Sequence, residues 1–130
     1  MWQSYLAVMA GGAAGVGARM FLSNWIANQF GSSFPWGTLI VNVSGCVVIG
    51  IFTGLTGPDG AFMTSPLVRQ VVAIGVLGGF TTYSSFSLQT ISLLADGELL
   101  YAAGNIALTL LLCLAGTWGG LAVVQLLQPR

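Results

Sequence analysis

Four long runs of apolar residues, separated by short polar connections, organise the chain. The runs cover residues 5–30, 36–55, 66–95 and 99–127. Each is close to or longer than the roughly 20 residues that an α-helix needs to cross a bilayer. The connections are rich in Gly, Pro, Ser and Asp, which favour turns. The pattern predicts an all-α integral membrane protein in which residues 1–130 form a single domain of four transmembrane helices.

The third run contains a polar stretch, GGFTTYSSFS, at residues 78–87. Two adjacent glycines are followed by six hydroxyl-bearing residues within seven positions. A backbone in lipid must satisfy its own hydrogen bonds, and polar side chains are costly there. The stretch therefore predicts that the third helix is broken, with freed carbonyls and hydroxyl groups that face a cavity or an ion.

The composition excludes most functions outside a membrane. The chain is 55% hydrophobic and 5% charged and has no His, whereas about a quarter of the residues in a soluble domain are charged. So few basic residues argue against nucleic-acid binding. The acidic residues lie in loops, and Cys46 and Cys113 are interpreted as small buried apolar residues. Without His or paired carboxylates, we expect neither an enzyme nor a metal-ligand cluster of side chains.

Two polar side chains stand inside the first two runs. Arg19 is the only charged residue deep within a run. An arginine there either lines a vestibule that attracts anions or serves as a structural anchor. Asn42 shares a helix face with Thr38, four residues before it. Its amide needs partners, which are either an anion or a neighbouring helix.

A polar stripe follows one face of the fourth run. Its members recur every four residues, at Asn105, Thr109, Cys113 and Thr117. This spacing places them on one side of an α-helix. The stripe is typical of the wall of a polar track, and hydrogen bonds that only stabilise packing are the alternative interpretation.

The charge of these groups favours an anion. The runs contain no carboxylate, so they lack the titratable group of a proton-coupled exporter and the acidic rings of a cation path. Neutral N–H and O–H donors, together with the positive edges of aromatic rings, suit a small anion. The residues alone therefore predict a small, oligomeric membrane protein with a neutral polar path.

Small residues and a weak charge bias predict how the helices assemble. GxxxG pairs at residues 11–15 and 116–120 let helices approach closely in lipid. One side of the membrane carries Arg69 and Arg130, and the other has no basic loop residue. This bias barely specifies an orientation. We expect insertion in both orientations and antiparallel pairing of two copies.

Three motifs together resemble those of the Fluc family of fluoride channels, also known as camphor-resistance proteins. They are GGAAG at 11–15 leading to Arg19, GTLIVN at 37–42 and GGFTTYSSFS at 78–87. The resemblance extends over essentially the whole chain. It implies an antiparallel, dual-topology homodimer in the inner (plasma) membrane, with fluoride pores along the subunit interface. It also implies passive, selective export of cytoplasmic fluoride down its electrochemical gradient.

The resemblance implies roles for individual residues as well. A structural Na⁺ on the dimer axis would be held by backbone carbonyls of Gly78 and Thr81 from both subunits, which suits the free carbonyls of a broken helix. The aromatic pair of the pore corresponds to Tyr83 and Phe86. The other expected pore residues are Arg19, Thr38, Asn42, Ser84, Ser87, Asn105, Thr109, Cys113 and Thr117.

The chain departs from the family pattern at three positions. Most members have Phe where this chain has Tyr83, whose phenol can donate to an ion directly. Asn105 stands where Tyr is common, and Cys113 where Ser is common. A small four-helix multidrug exporter is the main alternative function, but the first run has no acidic residue for it. A scaffold subunit is the third possibility, and it would leave Asn42 and the polar stripe without a purpose.

Overall fold

The structure is a computed structural model that describes residues 1–58 and 60–128, and these residues are almost entirely helical. The elements are α1 (Trp2–Phe30), α2 (Trp36–Thr56), α3 (Pro66–Arg69), a π-helix (Gln70–Leu77), α4 (Gly78–Phe80), α5 (Tyr83–Ala95) and α6 (Leu99–Leu127). Among the described residues, four spans are long and apolar enough to cross a membrane, namely Trp2–Phe30, Trp36–Thr56, Pro66–Ala95 and Leu99–Leu127. The prediction of an all-α membrane protein with four spans is confirmed. Asp59 of the second loop and Arg130 of the charge bias lie outside the described residues.

The helix ends differ from the predicted limits by a few residues. α1 begins at Trp2 rather than Tyr5, because the Tyr5 N–H already donates to the Met1 carbonyl at 3.4 Å. α2 ends one residue later than predicted, at Thr56, whose hydroxyl donates to the carbonyl one turn earlier. Hydropathy marks the apolar part of a helix, and its polar end turns extend beyond that part.

The third span, Pro66–Ala95, is interrupted where the sequence predicted a break. Thr81 (ψ 159°) and Thr82 (φ −152°, ψ 109°) are extended between α4 and α5. The Thr82 hydroxyl caps α5 by accepting from the Ser85 N–H at 3.2 Å. The Thr81 hydroxyl donates to the Leu77 carbonyl at 2.9 Å. The broken helix is confirmed, and the Thr82 hydroxyl replaces the backbone partner that the Ser85 N–H would have in a continuous helix.

The residues just before the break form a π-helix, which the sequence did not predict. Within Gln70–Leu77 the turns are wider, and the Gly78 N–H that follows donates to the Ala73 carbonyl five residues earlier. π-Helices are rare and occur frequently at functional sites. An apolar pattern identifies a helix but carries no signal of its hydrogen-bond register, so this form was missed.

Glycines join α1 to the first half of the third span. A Cβ on Gly15 would overlap the Val76 carbonyl oxygen, and one on Gly75 would lie 2.7 Å from the Val8 carbonyl oxygen. No larger residue fits such contacts without movement of a helix. Close backbone approach of this kind is how small residues pack helices in lipid. The packing fixes the half-span that carries the break.

α2 and α6 form the second close pair, and they are parallel, because residues later in α2 contact residues later in α6. A Cβ on Gly50 would overlap the Thr117 carbonyl oxygen, and one on Gly120 would lie 2.6 Å from the Val47 carbonyl oxygen. α5 packs on α6 beside them. The break therefore lies between two glycine-packed helix pairs that hold it in place.

Candidate functional site

Asn42 of α2 holds the break of the third span. Its Nδ2 donates to the Thr82 carbonyl at 3.0 Å, and its Oδ1 accepts from the Thr82 N–H at 2.7 Å. Both residues are buried, and buried main-chain groups outside a regular helix need such partners. The amide has a second N–H that this pair of bonds does not use. Asn42 therefore makes the interhelical hydrogen bond that was one of its two predicted roles. Its second N–H is still available for the other predicted role, which is donation to an anion.

The break also changes the surroundings of the two carbonyls expected to hold Na⁺. Because the Thr82 N–H donates to Asn42, the Gly78 carbonyl lacks the donor it would have in a continuous α-helix. The Thr81 carbonyl accepts from the Arg19 guanidinium at 3.4 Å. The Gly78 carbonyl is thus suited to a cation, whereas the Thr81 carbonyl is already next to a positive charge.

The aromatic pair expected in the pore lies together on α5. The ring centroids of Tyr83 and Phe86 are 5.3 Å apart, and the rings are tilted by 57°. Phe86 is 6% exposed and Tyr83 is 73% exposed. An aromatic ring presents a positive edge, and Tyr adds an O–H donor. Within one chain the pair therefore offers one accessible O–H donor, that of Tyr83.

A chain of buried hydrogen bonds connects α5 to the polar stripe of α6. The Thr90 hydroxyl donates to the Phe86 carbonyl at 2.8 Å and accepts from Asn105 Nδ2 at 2.9 Å. Thr109 donates to Asn105 Oδ1 at 3.4 Å. Asn105 is only 1% exposed. Sequence reasoning missed Thr90, although its spacing of four residues from Phe86 would have placed it on the same helix face.

The first cleft, about 440 Å³ in volume, lies between α2, α6 and the break. A water molecule occupies about 30 Å³ in the liquid, so the cleft has room for a small ion with several waters. Most of its wall is apolar, and Cys46 also lines it. The predicted site residues that the structure brings together here are Asn42, Gly78, Thr81, Tyr83, Thr109 and Cys113.

The second cleft, about 320 Å³ in volume, lies between α1, α2 and α5 and is more polar. Two predicted residues line it, Arg19 and Thr38. Thr82, the residue clamped by Asn42, borders both clefts. The other polar side chains of the second cleft are Ser23, Asn24, Ser85 and Gln89.

Gln89 is a member of this cleft that sequence reasoning missed. Its Oε1 is buried without a hydrogen-bond partner, the only side-chain atom of this kind in the part of the chain that the structure describes. A third cleft of about 260 Å³ shares Gln89 and Thr38 with the second and reaches the loop residue Asp96. The signal for Gln89 was its spacing of four residues from Ser85, which continues the hydroxyl cluster along one face of α5.

Five residues expected in the pore line neither of the first two clefts: Ser84, Phe86, Ser87, Asn105 and Thr117. The Ser84 hydroxyl lies 3.3 Å from the Thr82 hydroxyl, and Ser87 donates to the Tyr83 carbonyl at 3.0 Å. Thr117 lies at the backbone contact with Gly50. Their roles in ion passage stay predictions.

Comparison with known proteins finds a family model and relatives that match most of the chain. The model of the family described as "CrcB-like protein, Camphor Resistance (CrcB)" matches residues 6–121. A protein of Rhodospirillum rubrum named "Fluoride-specific ion channel FluC" is 52% identical over 117 residues, which are 90% of this chain and 91% of that protein. Proteins of the same name from Methylocella silvestris and Opitutus terrae are 49% identical over 116 residues and 50% identical over 123 residues. These two alignments cover 89% and 94% of this chain, and 88% and 93% of those proteins.

Proposed function

The chain belongs to the family of CrcB-like, camphor-resistance proteins, and from this premise we propose that it is a passive, selective fluoride channel. Relatives that are about half identical over nearly the whole chain are named fluoride-specific ion channels. The observation that carries the proposal in this chain is the broken third span, where Asn42 and Tyr83 meet in one cleft. Neutral donors in a membrane span suit an anion that must be dehydrated in part.

Fluoride would be held in the first cleft by donors that carry no charge. These are the second N–H of Asn42 and the hydroxyls of Tyr83 and Thr109, all of which line the cleft. The Thr109 hydroxyl donates to Asn105 at 3.4 Å, a length at which a hydrogen bond is weak, so it can turn toward an ion. Several such donors offset part of the cost of burying an anion. Because each is weak, the ion can also leave.

Arg19 would concentrate anions before they reach these donors. It lines the second cleft, in which no acidic residue neutralises its charge. A cleft lined by one sign of charge raises the local concentration of the opposite ion. The bond from Arg19 to the Thr81 carbonyl, at 3.4 Å, means that the same residue also anchors the break. Arg19 would therefore both attract anions and serve as a structural anchor.

A second, antiparallel copy would complete the path. Tyr83 at the rim of the first cleft is 73% exposed in a single chain, and polar groups that face lipid are costly. An antiparallel homodimer would cover this opening and place the pores at the subunit interface. The weak bias of basic residues between the two sides of the membrane supports insertion in both orientations.

The residues at the break fit a structural Na⁺ on the dimer axis. Unwound backbone carbonyls are ligands for this ion in other membrane proteins, and the Gly78 carbonyl lacks its helical donor. A carbonyl oxygen has two lone pairs, so Thr81 can contribute one beside its bond to Arg19. Bound there, the ion would supply a fixed positive charge that joins the two broken spans. One chain offers few such oxygens, so both copies would contribute.

The direction of transport follows from the membrane potential. Hydrogen fluoride crosses a bilayer as a neutral molecule and ionises at cytoplasmic pH, so fluoride accumulates inside a cell. In the inner (plasma) membrane of a bacterium, a potential negative inside drives an anion outward with about 2.3 kcal/mol per 100 mV. A passive pore therefore suffices for export as a defence against toxicity.

Fluoride efflux from liposomes tests the proposal. Purified protein is reconstituted with potassium fluoride inside, a potassium shunt balances charge, and an electrode follows the release. We expect rapid fluoride release and no chloride release in a parallel chloride experiment. Folded protein that releases neither ion would favour an exporter or a scaffold subunit. Release of both ions would contradict selectivity.

A further inference from the structure

We propose that Cys46 and Cys113 form a dithiol site that captures a divalent thiophilic metal ion such as Hg²⁺, and that the bound ion blocks the first cleft. Both thiols are free and half-buried. Both line the cleft that also contains Asn42 and Thr109. Metal binding at this site is independent of the proposed function, whereas the block of ion passage rests on the proposed function.

The close contact between α2 and α6 brings the two thiols together. Gly50 packs directly on the Thr117 backbone, where an added Cβ would lie 3.0 Å from the Thr117 carbonyl carbon. Cys46 and Cys113 each precede one of these residues by four positions, so they lie one turn away on the facing sides of parallel helices. Both side chains line the first cleft, one on the wall that α2 contributes and the other on the wall that α6 contributes. Neither cysteine is therefore an isolated residue.

The surroundings select the kind of metal ion. No group of three or more His, Cys, Asp or Glu side chains that could hold a metal occurs in the part of the chain described by the structure. Zn²⁺ prefers four protein ligands, so a pair of sulfurs is a poor site for it. Soft thiolates prefer soft metal ions, and Hg²⁺ is satisfied by two sulfurs in a line.

Charge balance points to the same class of ion. Each thiol releases one proton to solvent, and each sulfur donates an electron pair to the metal, so a divalent ion and two thiolates give a neutral complex. No electron is transferred and no oxidant is needed. The first cleft is mostly apolar, and a neutral complex avoids the cost of burying a net charge there. A monovalent ion would leave one negative charge in the cleft.

Binding is tested on purified protein without any transport. One equivalent of HgCl₂ is added per chain, glutathione then competes for the metal, and after gel filtration removes the glutathione a chromogenic thiol reagent counts the free protein thiols. We expect the native protein to lose both reactive thiols and to need at least 100-fold more glutathione for release than Cys46→Ser or Cys113→Ser. These variants are matched, since each keeps one thiol and replaces the other with an isosteric hydroxyl. Release at the same glutathione concentration from all three proteins would overturn the site.

The effect on ion passage is measured in the liposome assay, with each protein compared with its own metal-free rate. One equivalent of Hg²⁺ should stop fluoride release by the native protein, and a small dithiol should restore it. The Cys46→Ser, Cys113→Ser double variant should keep its own rate. Tight binding with unchanged efflux would overturn the claim that the metal blocks the path. Protein that never conducts fluoride would contradict the proposed function, and the competition result would still decide the site.

Discussion

The first and second clefts border the same residue, Thr82, and differ in their chemistry. The first is mostly apolar and offers neutral donors and two thiols. The second is polar and contains Arg19, and Gln89 contributes a buried oxygen without a partner. An anion would thus be attracted by a full charge in one cleft and held by uncharged donors in the other. Under the proposed function, attraction and dehydration of the anion would therefore take place in separate clefts.

A single amide maintains this separation. Asn42 bonds both polar main-chain groups of Thr82, at 2.7 and 3.0 Å, so the extended residue is fixed as a wall between the clefts. If the third span were a continuous helix, its backbone would satisfy itself and neither the wall nor the free Gly78 carbonyl would exist. The two clefts are therefore consequences of one break.

The change with the largest expected effect is Asn42→Ala, which removes the amide that fixes Thr82 between the clefts. It leaves the Thr82 N–H and carbonyl buried without partners, at roughly 1–3 kcal/mol for each orphaned group. We expect fluoride efflux to fall by about 100-fold or more, a loss of about 2.7 kcal/mol or greater at 1.36 kcal/mol per tenfold. Asn42→Asp should also impair efflux, because it keeps the acceptor for the Thr82 N–H but removes the donor and adds a negative charge. Efflux equal to the native rate in both variants would remove Asn42 from the path.

Gly15→Ala tests whether both clefts depend on the packing of the third span against α1. The new Cβ would overlap the Val76 carbonyl oxygen, and overpacking of this kind costs about 1–3 kcal/mol. Thermal unfolding in detergent should shift to lower temperature. Gly17→Ala is the matched control, since its Cβ would meet nothing within 4 Å. Equal unfolding temperatures for the two variants would contradict the close approach.

Arg19→Gln removes the charge of the second cleft, and it touches the first cleft only through the lost bond to the Thr81 carbonyl. We expect efflux to fall about tenfold at low ionic strength, and the deficit to shrink as salt rises because salt screens the field. Arg19→Lys keeps the charge and should retain most of the rate. A deficit that does not vary with salt would mean that Arg19 acts only through its bond to the Thr81 carbonyl.

Thr90→Val is expected to have the smallest effect, since Thr90 supports the α5–α6 contact beside the first cleft. The variant loses the bond to Asn105 as well as the bond to the Phe86 carbonyl, and we expect a loss of stability of about 1–2 kcal/mol. Thr56→Val, which loses only a bond to the Phe52 carbonyl, is the matched control. The difference in denaturation midpoint between the two variants measures the link to Asn105. Equal midpoints would show that the link contributes nothing.

Part of the candidate site could be predicted because its residues are unusual for a membrane span. Asn42 and Arg19 stand out against an apolar background, and GGFTTYSSFS at 78–87 signals a break by its glycines and hydroxyls. Gln89 and Thr90 gave weaker signals, because they lie beyond this stretch and are connected to it only by their spacing of four residues from Ser85 and Phe86. Their roles depend on what faces them, which is Asn105 for Thr90 and the second cleft for Gln89.

By itself the sequence determined the number of spans, the place of the break and the scarcity of charge, because hydropathy, glycine content and composition are local properties. Only the tertiary structure decided what the polar residues do. It paired Asn42 with Thr82 across 40 positions, brought Cys46 and Cys113 to one cleft, and turned Gln70–Leu77 into a π-helix. These outcomes depend on which helices meet and in which register they pack, and no local pattern encodes either of these.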